Sequence, residues 1–532
     1  MALSWAKTMT LGFLMLCAFV PILFIEDYIA NDKQKRFSSA AVFSYTYPAF
    51  FIFAFVNTWW ISNASFIGYI VPIAEAAFMS VIMQIYSYSK RVAKNKQGAY
   101  FFLILYWIAF EYIQFKWDIN FPWLNLGNSF AHSPVLVQWY SVLGMEGGTL
   151  WILLTNILLY LTIKDFYIRK QNINKITPRL FGRFQYIVFT SLIIVLPIIW
   201  SLCLWYSYED NYSKTVRTVI IQPNLDPYNE QYVLAPEEVI DRVERLSKPI
   251  MDDSVDYMLL PESCIQEYAW EEDLYIVPSV IELRRFALNY QNAEIIAGLS
   301  TRKLLPQGVK TDAAREMKDS SNRFYESCNT AMLINRDMLA KDYQLRHKSV
   351  LVVGVEKLPF KKYLPFIEKF ALNMGGTVGS LGVDDSAKVF TNKDKGIKMA
   401  VPICWESIDG NYVRDFIRQG AQVIYVVTNV GWWGDTPGYK QYFAISALRS
   451  IENRRYTAIC ANTGYSGLIN ARGQVVDRGN YWQQQAFKYD VPLLNESTFF
   501  TRHGDMLMRP FTFFSVLLLF YSIIRKKTKK ED

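Results

Sequence analysis

Seven apolar runs constrain this chain more than anything else in it. They cover 9–25, 41–61, 65–86, 99–115, 135–163, 184–206 and 508–524. Each reaches or approaches the roughly 20 residues that an α-helix needs to cross the hydrocarbon core of a bilayer. No water is available there, so a spanning segment must satisfy its own backbone groups, and each run is predicted to be a helix. Lys7 is the only charge ahead of the first run, and no small-residue cleavage pattern follows it. That reads as a retained helix and not a removed signal. Between the sixth and seventh runs lies one long polar segment. Apolar residues still make up 52% of the 532-residue chain and aromatics 16%, as expected of a composite of membrane and soluble parts. The predicted division is a membrane domain of six spans over 1–206, a soluble domain over 207–507, and a last helix with a basic tail over 508–532.

The positions of Lys and Arg predict the orientation. Lys33, Lys35 and Arg36 follow the first run, and Lys90, Arg91, Lys94 and Lys96 the third. Lys164, Arg169, Lys170, Lys175, Arg179 and Arg183 follow the fifth, and Arg525, Lys526, Lys527, Lys529 and Lys530 form the tail. Seven crossings put all four clusters on one side, the cytoplasmic one, as solvated anchors. They account for the net charge of +8 without a nucleic-acid partner. The segment 207–507 then faces outward, into the periplasm of a bacterium. The same count leaves the amino terminus outside, and a further helix ahead of it would bring it inside. Glu75, Glu111 and Glu146 lie within apolar runs. Intramembrane carboxylates are functional candidates by default, and their structural alternative is pairing inside a helix bundle.

The outer segment alternates strand-like and helix-like stretches. Strands are predicted at 215–222, 256–260, 293–299, 329–335, 398–403, 423–428, 456–461 and 466–470. Helices are predicted at 236–250, 277–290, 412–419 and 442–452. Alternation of this kind indicates a layered α/β fold, in which reactive residues favour the carboxyl ends of strands. Glu262, Cys404 and Asn429 all fall at such ends.

Six cysteines (Cys17, Cys203, Cys264, Cys328, Cys404, Cys460) form no CxxC pair, and there are three histidines, His132, His347 and His503. These spacings predict neither a disulfide framework nor a metal site, and leave few members for a histidine-dependent triad. Cys404 follows the buried run Val401-Pro402-Ile403 and precedes Trp405-Glu406, a setting that suits a nucleophile on a sharp strand-to-helix turn. Glu262, after Pro261, can accept its proton as a general base. Lys348 can lower the thiol pKa and stabilise an oxyanion. Cys264 lacks the strand-Cys-aromatic-Glu setting and reads as structural. Trp432 and Trp433, beside glycines and before Asp435, suit a movable lid.

These residues resemble the Glu-Lys-Cys triad of the nitrilase (carbon-nitrogen hydrolase) superfamily. With seven spans around them, the chain is similar to its apolipoprotein N-acyltransferase family, of the Bacteroidetes type. The resemblance also rests on Pro122-Trp123-Leu124-Asn125-Leu126-Gly127, Ile221-Gln222-Pro223-Asn224 and Asn429-Val430-Gly431-Trp432-Trp433-Gly434-Asp435. Ala461-Asn462-Thr463-Gly464-Tyr465-Ser466-Gly467 and Thr501-Arg502-His503-Gly504-Asp505 complete it. It implies an αββα nitrilase-like sandwich inserted in a multi-span α-helical membrane domain, in the bacterial inner membrane. It implies ping-pong acyl transfer with no cofactor or metal. A phospholipid donates an acyl chain to the cysteine as a thioester, and the α-amino group of a diacylglyceryl-cysteine apolipoprotein takes it up. Carried over by position, Cys404 is the nucleophile, Glu262 the base and Lys348 the oxyanion-stabilising cation. Glu356 is the supporting carboxylate, with Trp405 and Glu406 as the pair after the cysteine.

Two residues depart from the family pattern. Arg346 stands where tyrosine is common, and Val353 where the turn after the lysine usually has proline. The family has eight spans, and Leu3-Ser4-Trp5 resembles the end of a preceding helix. The same triad would also serve a membrane-tethered amidase acting on a small amide, and a degenerate, non-enzymatic scaffold would show departures of this kind.

Overall fold

The computed structural model describes residues 1–5, 11–32, 40–95, 98–170, 183–317, 322–335, 343–360 and 380–531. Lys33, Lys35, Arg36, Lys96, Lys175 and Arg179 of the predicted basic loops lie outside them. The chain forms two compact units. One comprises Met1–Trp59, Gly68–Tyr208 and His503–Asp532, and the other Trp60–Ile67 and Glu209–Arg502.

Seven helices among the described residues are long and apolar enough to cross a membrane: Gly12–Ala30, Ala41–Asn63, Ile70–Val92, Gly98–Lys116, Tyr140–Tyr167, Phe184–Ser207 and Met508–Thr528. Each overlaps one predicted run. Glu75 and Glu111 are hydrogen-bonded within the bundle. Glu75 accepts both hydrogen bonds of Gln114 Nε2, at 3.0 and 2.9 Å. Glu111 accepts from Leu126 N at 2.7 Å, Thr149 Oγ1 at 2.7 Å and Trp107 Nε1 at 3.2 Å, and so fastens the Pro122–Gly127 stretch to two helices. Glu146 is buried, two residues after Gly144, whose φ of 67° kinks its helix. A Cβ at Gly148 would lie 1.9 Å from Tyr140 Oη and 3.0 Å from Gly127 Cα, so only glycine permits that approach. Lys90 corrects the expectation of solvated anchors. It is buried and pairs with Glu26 and with Asp27, the latter at 3.0 Å, while Lys164 reaches Asp27 at 2.5 Å.

The second unit is a four-layered sandwich. Its first sheet holds β1 (Thr215–Gln222), β2 (Tyr257–Leu259), β3 (Ile265–Trp270), β4 (Glu294–Leu304), β5 (Arg315–Glu316), β6 (Phe324–Ile334) and β7 (Gln344–His347). The second holds β8 (Phe390–Asn392), β9 (Ile397–Ala400), β10 (Val423–Thr428), β11 (Thr457–Ala461), β12 (Gly467–Ile469) and β13 (Val475–Arg478). β14 (Gln485–Pro492) returns to the first sheet beside β1, giving the order β14-β1-β2-β4-β6-β5, with β3 on β4 and β7 on β6. The second sheet runs β13-β12-β11-β10-β9-β8.

Strand periodicity explains the layers, because successive side chains point to opposite faces. From β1 and β4, Val219, Ile221, Ile295 and Ala297 pack against Val239, Val243, Leu283 and Phe286 of the helices Pro236–Ser247 and Pro278–Leu288. Their neighbours Ile220 and Ile296 face the other sheet, meeting Met399, Val423, Tyr425 and Val427. The helices Gly410–Arg418 and Pro437–Asn453 cover the far side of the second sheet. The result is an αββα sandwich, and Cys404 lies in its inter-sheet core.

Candidate active site

The sequence around Cys404 builds a strained turn. β9 ends at Ala400, Ile403 bridges to Val427, and a 3-10 turn begins at Cys404 and runs to Ile408. Cys404 has a φ of +47°, in the left-handed region that a non-glycine residue adopts at a cost. Tyr442 Oη and Ser407 Oγ donate to its carbonyl at 2.9 and 3.0 Å. The thiol sits on a tight corner, 5% exposed.

Glu262 comes from the turn after β2. Its Cα packs so close to Gly298 that a Cβ there would lie 2.6 Å from it. Lys348 follows β7, and its Nζ contacts Glu262 Oε1 at 2.9 Å and Glu356 Oε1 at 2.8 Å. An ammonium has three donors, so among the described residues these two leave one for an incoming oxygen. Nothing in the sequence singles out Asn329, on β6. Its Nδ2 bridges the same two carboxylates, at 2.7 Å to Glu262 and 3.1 Å to Glu356. Asn429 N donates to Glu262 Oε2 at 2.9 Å, while its side chain donates to Gln231 Oε1 at 2.7 Å. Glu262 is thus oriented through both oxygens.

Arg346 has a definite role here. It is fully buried and grips Glu406 with two bonds, Nη1 to Oε2 at 2.7 Å and Nη2 to Oε1 at 2.9 Å. It also donates to Val401 O at 2.7 Å and Tyr412 Oη at 2.7 Å. Glu406 in turn accepts from Ile403 N at 2.7 Å and Ser349 N at 2.5 Å. These amides flank Cys404 and Lys348, so one ion pair fixes the backbone beside both residues. The turn without proline closes as well. Glu356 Oε2 accepts from Val352 N at 2.8 Å, and Gly354, with a φ of 82°, donates to Lys357 O at 2.8 Å.

Burial pushes the Cys404 thiol up to about 12, and Glu262 adds to this, against the opposing pull of Lys348 and Thr428. The thiol is therefore neutral at physiological pH, and a thiolate forms only as a base takes its proton. Burial alone would push the Lys348 ammonium down. The carboxylates of Glu262 and Glu356 outweigh it and hold Lys348 well above the ordinary lysine range. The arrangement fits a general base, a permanent cation and a nucleophile that is charged only during reaction.

Trp405 is buried beside Cys404. Trp433 is buried against Trp60, with ring centres 4.5 Å apart, and Asn63 Nδ2 donates to its carbonyl at 2.9 Å. Trp432 packs edge-on to Tyr228 at 5.1 Å. Gly434, with a φ of +68°, ends that turn. Cys264 lies in the helix-facing core, where burial pushes its thiol up to about 12.

An αββα sandwich with a buried Glu-Lys-Cys cluster is the nitrilase type of domain, and residues 219–494 match the carbon-nitrogen hydrolase family, to which this chain belongs. Residues 1–158 match the apolipoprotein N-acyltransferase N-terminal domain. The chain is similar to the apolipoprotein N-acyltransferase of Chlorobaculum tepidum, 27% identical over 521 residues, covering 96% of this chain and 92% of that protein. It is also similar to that of Rickettsia typhi, 25% identical over 520 residues and 94% of each. Among solved structures, Saccharomyces cerevisiae Nit3 of the nitrilase superfamily matches at 14% identity and a TM-score of 0.36, over 54% of this chain and 93% of that one. The chain is a multi-pass membrane protein and an acyltransferase.

Proposed function

We propose that this enzyme moves an acyl chain from a membrane phospholipid, through a thioester on Cys404, to the amino-terminal amine of a diacylglyceryl-cysteine apolipoprotein. The soluble domain works on the periplasmic face of the inner membrane. The observation that carries this reading is the Glu262–Lys348–Glu356 cluster around a neutral, buried Cys404, in a chain that also has an N-acyltransferase membrane domain.

Glu262 takes the thiol proton as the sulfur attacks the ester carbonyl. The tetrahedral oxyanion binds the third donor of Lys348. The C–O bond breaks, the lysophospholipid alkoxide takes the proton from Glu262, and an acyl thioester remains. The amine then attacks the thioester, Glu262 accepts its surplus proton, and the thiolate leaves and is reprotonated. Glu356 and Asn329 keep Lys348 and Glu262 in register throughout. Trp432 and Trp433 form a lid over the site.

The test gives purified protein a fluorescent phospholipid and a diacylated lipopeptide, with small amides in parallel. Fluorescent triacylated peptide is the expected product. Ammonia released from the amides, without acyl transfer, would replace this reading with the amidase one.

A further inference from the structure

We propose that Glu271, Cys328 and His347 form a binding site for a divalent cation of the zinc class. The sequence spacing predicts no such site, because the three residues come from separate elements that the first sheet brings together. Glu271 follows β3, Cys328 lies in β6 and His347 ends β7. One ligand atom from each lies within 4.8 Å of the others.

The surroundings favour a ligand set over an ordinary ion pair. Asp384 accepts from His347 N at 2.8 Å and lies 3.1 Å from its Nδ1. The ring is thereby held with Nε2 toward Glu271 Oε1, 2.7 Å away. A carboxylate behind the imidazole is the usual outer partner of a metal-binding histidine. Lys388 neutralises Asp384 at 2.6 Å, and Thr301 Oγ1 orients Glu271 Oε1 at 2.9 Å. A histidine between two carboxylates accounts for His347, Glu271 and Asp384, but not for a thiol placed within reach of the first two. Cys328 is 2% exposed. Gly382 passes so close that a Cβ there would lie 2.8 Å from its sulfur.

The charges also close. A divalent cation would bind Cys328 as thiolate, Glu271 as carboxylate and His347 as neutral imidazole around a 2+ charge, any protons they carried passing to solvent. That set is neutral overall, as a buried site requires. Thiolate with imidazole selects zinc-class ions over magnesium or calcium. Three protein ligands leave a fourth position to water or another small ligand. His347 immediately precedes Lys348, so the ion would stiffen the strand end that carries the lysine.

The test loads full-length protein in detergent with Co²⁺ and records the thiolate-to-cobalt charge-transfer absorption, with bound zinc counted by elemental analysis. Wild type and Cys404→Ala are expected to bind one equivalent and show the band. Cys328→Ser is expected to lose it. Asp384→Asn, which keeps all three ligands, is expected to bind at least tenfold more weakly, and it reads the site even if Cys328→Ser does not fold. No band at one equivalent in wild type, or an unchanged band in Cys328→Ser, would overturn the proposal.

Discussion

Arg346→Ala is the most informative substitution in the soluble domain. It removes both bonds to Glu406, at 2.7 and 2.9 Å, and strands that carboxylate in a fully buried place. Removing one partner of a buried pair costs roughly 3–5 kcal/mol, whereas replacing both with neutral groups costs far less. The loss is felt locally, because Glu406 holds the amides of Ile403 and Ser349. If about 2 kcal/mol of it reaches the Cys404 turn, acylation slows about 30-fold. Arg346→Lys keeps the charge but not the two-pronged grip, and should fall between wild type and alanine. The double variant Arg346→Met/Glu406→Gln should melt higher than Arg346→Ala alone, since no charge is stranded. The assays are thermal melting in detergent and the single-turnover rate of acyl labelling. An Arg346→Ala protein that melts and acylates like wild type, or a double variant less stable than Arg346→Ala, would refute this account of the pair.

Other outcomes follow from the same geometry. Glu262→Gln should slow thioester formation about 10²–10⁴-fold while the protein still purifies as a folded species. Asn329→Asp should lose most acylation activity, because it replaces a donor to both carboxylates with a third negative charge beside Lys348; activity equal to wild type would contradict that role. Gly298→Ala should lower both melting temperature and acylation rate, since its Cβ would lie 2.4 Å from Pro261 O and 2.6 Å from Glu262 Cα. The Cys404 thiol ionises at about 12 when folded, against 9.0 for a free thiol. Its contribution to stability is therefore fully present below pH 9.0 and lost as pH rises toward about 12. Melts between those limits should show a shallower alkaline decline in Cys404→Ala than in wild type.

Much of this architecture is readable in the sequence, for physical reasons. A membrane span must be apolar along its length, so each of the seven runs overlaps a long helix. Cys404, Glu262 and Asn429 stand out in the sequence because strand ends are marked by Pro and by the close of β-branched runs. What the sequence does not show depends on partners distant in the chain. β7 is four residues long and contains Arg346 and His347, charges that look like surface residues until Glu406, Asp384 and Glu271 meet them. Asn329 reads as one polar residue in an apolar strand, and nothing local shows that it faces two carboxylates. The helix predicted at 442–452 begins at Pro437, where Thr436 caps it by accepting from Gly438 N at 3.3 Å. The pair Thr436-Pro437 carries that start in the sequence itself. Lys90 sat in a basic cluster, and only the fold brings Glu26 and Asp27 to it.

The central claim is that Cys404 carries the acyl chain. Incubating purified protein with a phospholipid labelled in its acyl chain, then denaturing it, tests this directly. Wild type should retain one label per chain, released by neutral hydroxylamine and mapped to the peptide containing Cys404, and addition of a diacylated lipopeptide should discharge it. Cys404→Ala should retain none. Hydroxylamine-sensitive label that persists in Cys404→Ala, or triacylated product formed at the wild-type rate without Cys404, would contradict the account.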